Sequence, residues 1–330
     1  MVDLARIAGV SVSTVSRALN GSALINAETR ERIAELARSL NYSINVNAKN
    51  LRLRRNQTVA VVIPYARDSR QHVSDPFFLA MLGSLADSLT ERGFDLLLSR
   101  IDADDLEAAG QPVEAGAAVG VVTVGQWRHH DQLNQLALRG VPLVVWGAQM
   151  PRQLYCSVGG DNVAGGAMAT RHLIEQGRRN IVFIGDRALP EVQQRYQGYE
   201  REIAANGLPL DSRLVLDVPF EASLARARVS QLCEIEVGFD AVFACSDVLA
   251  LAAVQALRAA GRQVPRDVAI VGYDDIEWAS HSDPPLTTVR QPIGLAGVEI
   301  VDALLAIVAG EAVVPKTLQV ELVIRQSSMR

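Results

Sequence analysis

The sequence predicts an α/β core of two doubly wound parallel-sheet lobes preceded by a small all-α head, and three observations lead there. From Thr58 onward, short apolar runs alternate with amphipathic helical stretches in two successive series, the pattern of parallel sheets with helices on both faces. At 330 residues and 49% hydrophobic, the chain is long enough for two or three compact units. Charge divides at the same place as the pattern: residues 1–57 hold nine basic against four acidic side chains, a balance of +5 within a chain whose total is −5. A basic head on an acidic body fits a nucleic-acid module joined to a unit that does not bind nucleic acid.

The head begins with two short helices around a tight turn. Leu4, Ile7 and Ala8 recur at the spacing of one helical face, and Ala5 is small enough to admit a second helix. Gly9 stops the first helix, Val10 plugs the corner, and Ser11 is placed to cap the second. That helix buries Val15, Ala18 and Leu19, leaving Val12, Ser13, Ser16 and Arg17 on the open side. Small hydroxyls with an arginine suit a helix laid in a DNA major groove, where Arg forks onto guanine and Ser bonds phosphate or base. A helical hairpin that only packs fits the same periodicity. Asn26 is placed to cap a third helix, whose Ile33, Leu36, Ala37 and Leu40 close the core. Its Arg30, Arg32 and Arg38 suit phosphate contacts or, beside Glu28, Glu31 and Glu35, a solvated face.

Residues 43–57 read as a linker, too polar to bury a core alone but able to order on DNA. The first β-α series then runs through strands at Val59–Ile63, Phe94–Leu98, Gly120–Val124 and Pro142–Val145, with a long helix from Pro76 to Arg92. The second runs through Asn180–Ile184, Leu214–Leu216, Ala241–Ala244 and Val268–Val271, with helices from Ala164, Val192, Ala222 and Val248. Two such sheets side by side make a cleft at their strand ends, where ligands of open α/β folds bind.

Ala8-Gly9-Val10-Ser11, Thr14-Val15-Ser16-Arg17 and Leu19-Asn20 resemble the DNA-binding head of the LacI/GalR family of bacterial transcriptional regulators. The resemblance continues through Asp161-Asn162, Gly165-Gly166, His172-Leu173-Ile174, Ser246-Asp247, Val271-Gly272-Tyr273-Asp274-Asp275 and Pro284-Pro285-Leu286-Thr287-Thr288-Val289, so it covers almost the whole chain. It makes the head a helix-turn-helix over 1–42, the linker a hinge over 43–57, and 58–330 a periplasmic-binding-protein-like core for ligand binding and dimerisation. The lobes it implies are 58–158 with 291–320 and 161–289 with 321–330, joined by three crossings near Val158, Arg290 and Val320. Carried residue by residue, it assigns DNA contact to Ser11, Val12, Ser13, Thr14, Ser16, Arg17 and Asn20, and in the hinge to Asn45, Ala48, Lys49 and Leu51. Leu51 stands where the family wedges a leucine into the minor groove at the operator centre. Ile44 stands where the family usually has Pro, and the family usually has a few residues, often with a Thr cap, before the position of Val2, so either the first turn is uncapped or the start is placed late. The chain ends soon after Val323-Ile324-Arg325 without the C-terminal helix that makes some members tetramers, which implies a homodimer.

A sugar site needs an apolar face for the ring and planar charged groups for adjacent hydroxyls. The predicted strand ends supply Asp75, Arg195, Ser246 with Asp247, and Asp274; by family position Arg195 and Asp274 bind hydroxyls and Ser246 occupies a ligand-facing site. Phe77, Phe220, Trp127, Trp146 and Trp278 are candidate ring-stackers, each of which serves core packing equally well. Asp247 at a helix start has a second reading as a cap. Gly147 stands where some members carry an Asp, so that contact is lost.

Enzyme readings find little support. Gly159-Gly160 and Gly165-Gly166 do not form a GxGxxG turn, no Walker loop is present, and no nucleophile with a base and an orienting group is legible. Adjacent His129 and His130 point apart and make a shared metal unfavourable, and Cys156, Cys233 and Cys245 lack metal spacing and read as reduced thiols. No cofactor is expected. With neither an eighteen-residue apolar run nor a basic and apolar leader, the chain is expected in the cytoplasm and off the membrane. The reading is a transcriptional regulator, a repressor of carbohydrate-utilisation genes acting on double-stranded operator DNA and switched by a sugar-like effector. A transport-type sugar-binding protein and a nucleoside- or purine-responsive regulator share the core and stand as alternatives.

Overall fold

The computed structural model describes residues 2–19, 22, 24–40, 56–67, 71–235 and 237–329. The chain divides into two compact units, Met1–Asn56 and Gln57–Arg330.

The first unit contains helices α1 (Val2–Ala8), α2 (Val12–Leu19) and α3 (Ala27–Ser39) around a core of Leu4, Ala5, Val15, Ala18, Ile33 and Ala37. Gly9 adopts φ +66° and lets the Val10 N–H return to the Ala5 carbonyl at 3.1 Å, which turns the chain sharply. Asn26 caps α3 by accepting from the Thr29 N–H at 2.8 Å. Two apolar residues expected inside lie outside: Ile7 is 53% and Leu40 49% exposed. Both sit at helix ends, where one residue of drift rotates a side chain by about 100° away from the core. Leu40 is the residue beyond the last turn of α3.

The second unit holds two six-stranded sheets. The first contains β1 (Thr58–Tyr65), β2 (Asp95–Asp102), β3 (Gly120–Val124), β4 (Leu143–Trp146), β5 (Cys156–Gly160) and β11 (Lys316–Leu318). The second contains β6 (Ile181–Ile184), β7 (Val215–Leu216), β8 (Ala241–Ala244), β9 (Ala269–Asp274), β10 (Thr287–Arg290) and β12 (Glu321–Val323). Their orders are β11-β5-β4-β3-β1-β2 and β12-β10-β9-β8-β6-β7. Central β1 explains its apolar run: Val61 pairs with Leu98 on one side and Val122 on the other. Its two faces enter separate cores, Val59, Val61 and Ile63 on one side and Ala60 and Val62 on the other.

The chain passes between the sheets three times, after β5, β10 and β11. These crossings also explain the one exception to parallel pairing among the described residues. Strands β5 and β11 both leave the first sheet at its rim and run parallel, whereas β10 leaves the second sheet and β12 enters it, so that pair is antiparallel. The carboxyl ends of the parallel strands in both lobes therefore face the cleft between them. Among the described residues no helix is long and apolar enough to cross a membrane.

Candidate functional site

A cavity lies between the lobes, and eight of the ten side chains singled out line it, Asp75, Phe77, Trp127, Trp146, Arg195, Phe220, Ser246 and Asp274, while Asp247 lies behind it. Trp278 does not line it; it is 63% exposed on the short helix Glu277–His281 beside a separate depression.

Local folding sets each group. Asp75 caps the helix Pro76–Glu91 by accepting from the Phe77 N–H at 3.0 Å, which turns Phe77 toward Trp146 with ring centroids 6.4 Å apart. Arg195, 5% exposed, sits on the helix Pro190–Ala205. Its Nε donates to Asn162 Oδ1 at 2.8 Å and its Nη1 to the Cys245 carbonyl at 2.5 Å, and the guanidinium lies 3.7 Å over the Tyr273 ring. These contacts fix the plane of the guanidinium where it lines the cavity. Asp274 ends β9 at φ +115° and accepts from Gln291 Nε2 at 2.8 Å. Burial pushes its carboxyl up to about 7, against the opposing pull of Arg195 and Gln291, and Asp75 adds a like charge.

The cap at the start of Asp247–Ala259 is Ser246, whose Oγ accepts from the Leu249 N–H at 3.3 Å. Asp247 instead braces the cleft floor. It is fully buried, accepting from Thr288 Oγ1 at 2.6 Å and the Ile276 N–H at 2.9 Å, and burial followed by the neighbouring Asp274 charge holds its carboxyl well above the usual range. At Gly147 a Cβ would lie 2.8 Å from the Gln126 carboxamide, so Gln126 fills the space that a larger residue there would need.

In the head, Ser11 Oγ accepts from the Thr14 N–H at 3.1 Å and lies 2.7 Å from Ser13 Oγ and 2.8 Å from Thr14 Oγ1, so this hydroxyl cluster is the start of α2. Val12, Ser13 and Arg17 are exposed on that helix, and Thr14 and Ser16 are half-buried. Asn20, Asn45, Ala48, Lys49 and Leu51 lie outside the described residues.

Residues 1–45 match the model of bacterial regulatory proteins of the lacI family, and residues 170–328 that of a periplasmic binding protein-like domain. The HTH-type transcriptional regulator CelR of Thermobifida fusca is 36% identical over 98% of this chain and 96% of its own. The chain belongs to the lacI family. It is a helix-turn-helix, sequence-specific DNA-binding transcriptional regulator. A solved structure described as a transcriptional regulator CelR–cellobiose complex superposes with TM-score 0.75 and 34% identity, covering 98% of each chain. The lac repressor dimer bound to operator and an anti-inducer shares the fold, with TM-score 0.86 at 23% identity over 99% of this chain and 98% of that one.

The lacI-family cleft holds further groups that sequence reasoning missed. Gln71, Glu191 and Gln291 also line it. Glu191 lies one helical turn before Arg195, so the i, i+4 spacing was a usable signal. Burial pushes its carboxyl up, and its Oε1 is buried without a hydrogen-bond partner among the described residues. Gln126 Oε1 is likewise unpartnered while its Nε2 donates to the Ala148 carbonyl at 2.6 Å and Tyr155 Oη at 2.8 Å. Gln126 is buried behind the lining, so of the two acceptors it is the Glu191 oxygen that suits a ligand bringing a hydroxyl.

Proposed function

We propose that this lacI-family regulator is a cytoplasmic, homodimeric repressor of carbohydrate-utilisation genes, without enzymatic activity, whose cleft takes an uncharged sugar as effector. The observation that carries the reading is the meeting of Arg195, Asp274 and Glu191 with Phe77 and Trp146 around one cavity. Planar charged groups suit vicinal hydroxyls, and aromatic faces suit the C–H face of a pyranose. The named relatives support it, since the CelR structure was solved with cellobiose.

The head reads DNA through Val12, Ser13, Ser16 and Arg17 on α2, with Ser11 and Thr14 shaping its start and Asn20 following it. Leu51 in the hinge, flanked by Asn45, Ala48 and Lys49, enters the minor groove. One three-helix head reads too few bases to stand out from a genome, and two heads on a twofold axis read a pseudo-palindrome. Effector in the cleft favours one relation of the lobes and so one spacing of the two hinges, shifting operator affinity by its difference in affinity for the two states.

The test is selection of sheared genomic DNA on the full-length protein, with a chain lacking residues 1–57 as control. A short palindrome beside sugar transport or hydrolase genes is the expected product. Recovery of nothing above the control, with and without added sugars, contradicts the reading.

A further inference from the structure

The cavity around Arg195 is not closed on its outer side. Gln71, Trp127, Leu189 and Phe220 belong equally to the wall of a second, larger chamber, so the two adjoin and Trp127 and Phe220 stand between them. We infer that the effector is an uncharged oligosaccharide of three or more rings, its tail leaving the inner cavity between Trp127 and Phe220 to lie in this outer chamber. The inference rests on the carbohydrate reading above and adds the length and charge of the ligand.

The walls of the outer chamber repeat the chemistry of the inner one. On one lobe Pro219, Phe220 and Leu224 form an apolar strip, and Leu224 is 42% exposed, a surface that a sugar ring can cover. Beside it Asp217 accepts from Arg187 Nε and Nη2, both at 2.7 Å, and this bidentate pairing holds its carboxyl below the usual range. On the other lobe Asp102 accepts from the Asp104 N–H at 3.1 Å and pairs with Arg67, and the two in that order hold its carboxyl below the usual range. Carboxylates kept ionised and oriented by guanidinium groups are strong acceptors for sugar hydroxyls. A ligand confined to the inner cavity would leave this strip and these pairs uncovered.

Charge sets the second half of the inference. The outer walls carry Asp102, Asp104, Asp105, Asp186, Asp217 and Glu221 against Arg67 and Arg128. In the inner cavity burial raises the carboxyls of Asp75, Glu191 and Asp274 beside Arg195, so the exclusion of charge comes from the outer walls. The outer chamber therefore disfavours phosphorylated or carboxylated sugars.

The test is calorimetric titration of the full-length protein with glucose, cellobiose, cellotriose and cellotetraose, the matching malto-oligosaccharides, and glucose 6-phosphate. In one of the two series Kd is expected to fall at least tenfold from two rings to three. In the double variant Asp217→Asn, Leu224→Ala, trisaccharide affinity is expected to return to the disaccharide value with disaccharide binding unchanged. Glucose 6-phosphate is expected to bind more weakly than glucose. A trisaccharide no tighter than the disaccharide, a gain that survives the double variant, or a sugar phosphate that binds as well as the free sugar overturns the inference while leaving the carbohydrate reading intact. Failure of both series to bind at any length overturns both.

Discussion

The Arg195 guanidinium lies 3.7 Å over the ring of Tyr273, with both flanking nitrogens already committed, so the charge is fixed before a ligand arrives. Little side-chain entropy remains to be lost on binding. Arg195→Lys keeps the charge but cannot hold the fork or the stack. Sugar affinity is expected to fall by about 100-fold, roughly two charge-assisted hydrogen bonds at about 1.5 kcal/mol each. Calorimetry on the variant measures this, and DNA retention by the same protein, expected unchanged without effector, separates a site effect from misfolding.

The helix that carries Arg195 is seated by absent side chains. A Cβ at Gly166 would stand 2.0 Å from the Arg195 carbonyl oxygen, and one at Gly198 would stand 2.2 Å from that of Val163. These obstacles are backbone and cannot rotate away. Gly166→Ala is expected to cost about 1–3 kcal/mol, lowering the melting temperature by several degrees, and to weaken sugar binding because Asn162 and Arg195 are pushed apart. Differential scanning calorimetry together with titration checks both; full retention of sugar affinity would contradict the second expectation.

A pH dependence follows from Asp274. Its folded carboxyl is raised from about 3.9 to about 7, so the fold binds the proton more tightly than the unfolded chain does. The stability this contributes is fully present below about pH 4 and is lost as pH rises toward 7. Asp274→Asn removes the titration and also relieves the like charge beside Asp247. The melting temperature of the variant minus that of the parent is expected to rise between pH 4 and pH 7. A difference that stays flat across that range would show Asp274 ionised in the fold.

Arg128 on the first lobe and Asp186 on the second meet at 2.7 Å across the cleft rim, and Gln194 on the second reaches the Gln149 carbonyl on the first at 3.2 Å. Arg128 is 56% exposed at its side chain, so the pair contributes at most about 1 kcal/mol. Arg128→Ala is therefore expected to weaken effector binding no more than about fivefold at low salt, and by less as salt is raised. Titration at two ionic strengths checks this.

The strand at Val59–Ile63 was legible because burial on two faces leaves an unbroken apolar run, whereas Cys156–Gly160, just as buried, was not read as one, since Ser157 and two glycines interrupt the apolar signal. Ile7 and Leu40 misled because a periodic pattern does not say where a short helix stops facing its core. The cleft residues at strand ends were legible because parallel topology brings those ends together, whatever lies between them in sequence. Gln291 was not, since a polar residue after a strand has the same local pattern whether it faces water or a ligand, and Glu191 was reachable only through its i, i+4 spacing to Arg195. Asp247 was open to a capping role until the packing of Thr288 and Ile276 against it was known, a relation between residues far apart in the chain.

In the head, Arg17→Ala is expected to cost about 1–3 kcal/mol of operator affinity and to relax sequence preference at one position, as loss of a base contact does. Uniform weakening on all sequences would assign Arg17 to phosphate instead. Competition binding against a panel of single-position operator variants distinguishes the two.

The central claim is that one small molecule in the cleft governs the grip of the head on DNA. The most direct measurement is the affinity of the full-length protein for its selected operator, titrated with the tightest-binding saccharide, alongside Arg195→Lys at the same saccharide concentration. The expected result is a change in operator affinity of at least tenfold, about 1.4 kcal/mol of coupling, that the variant loses. A saccharide that saturates the cleft and leaves operator affinity unchanged would contradict the account.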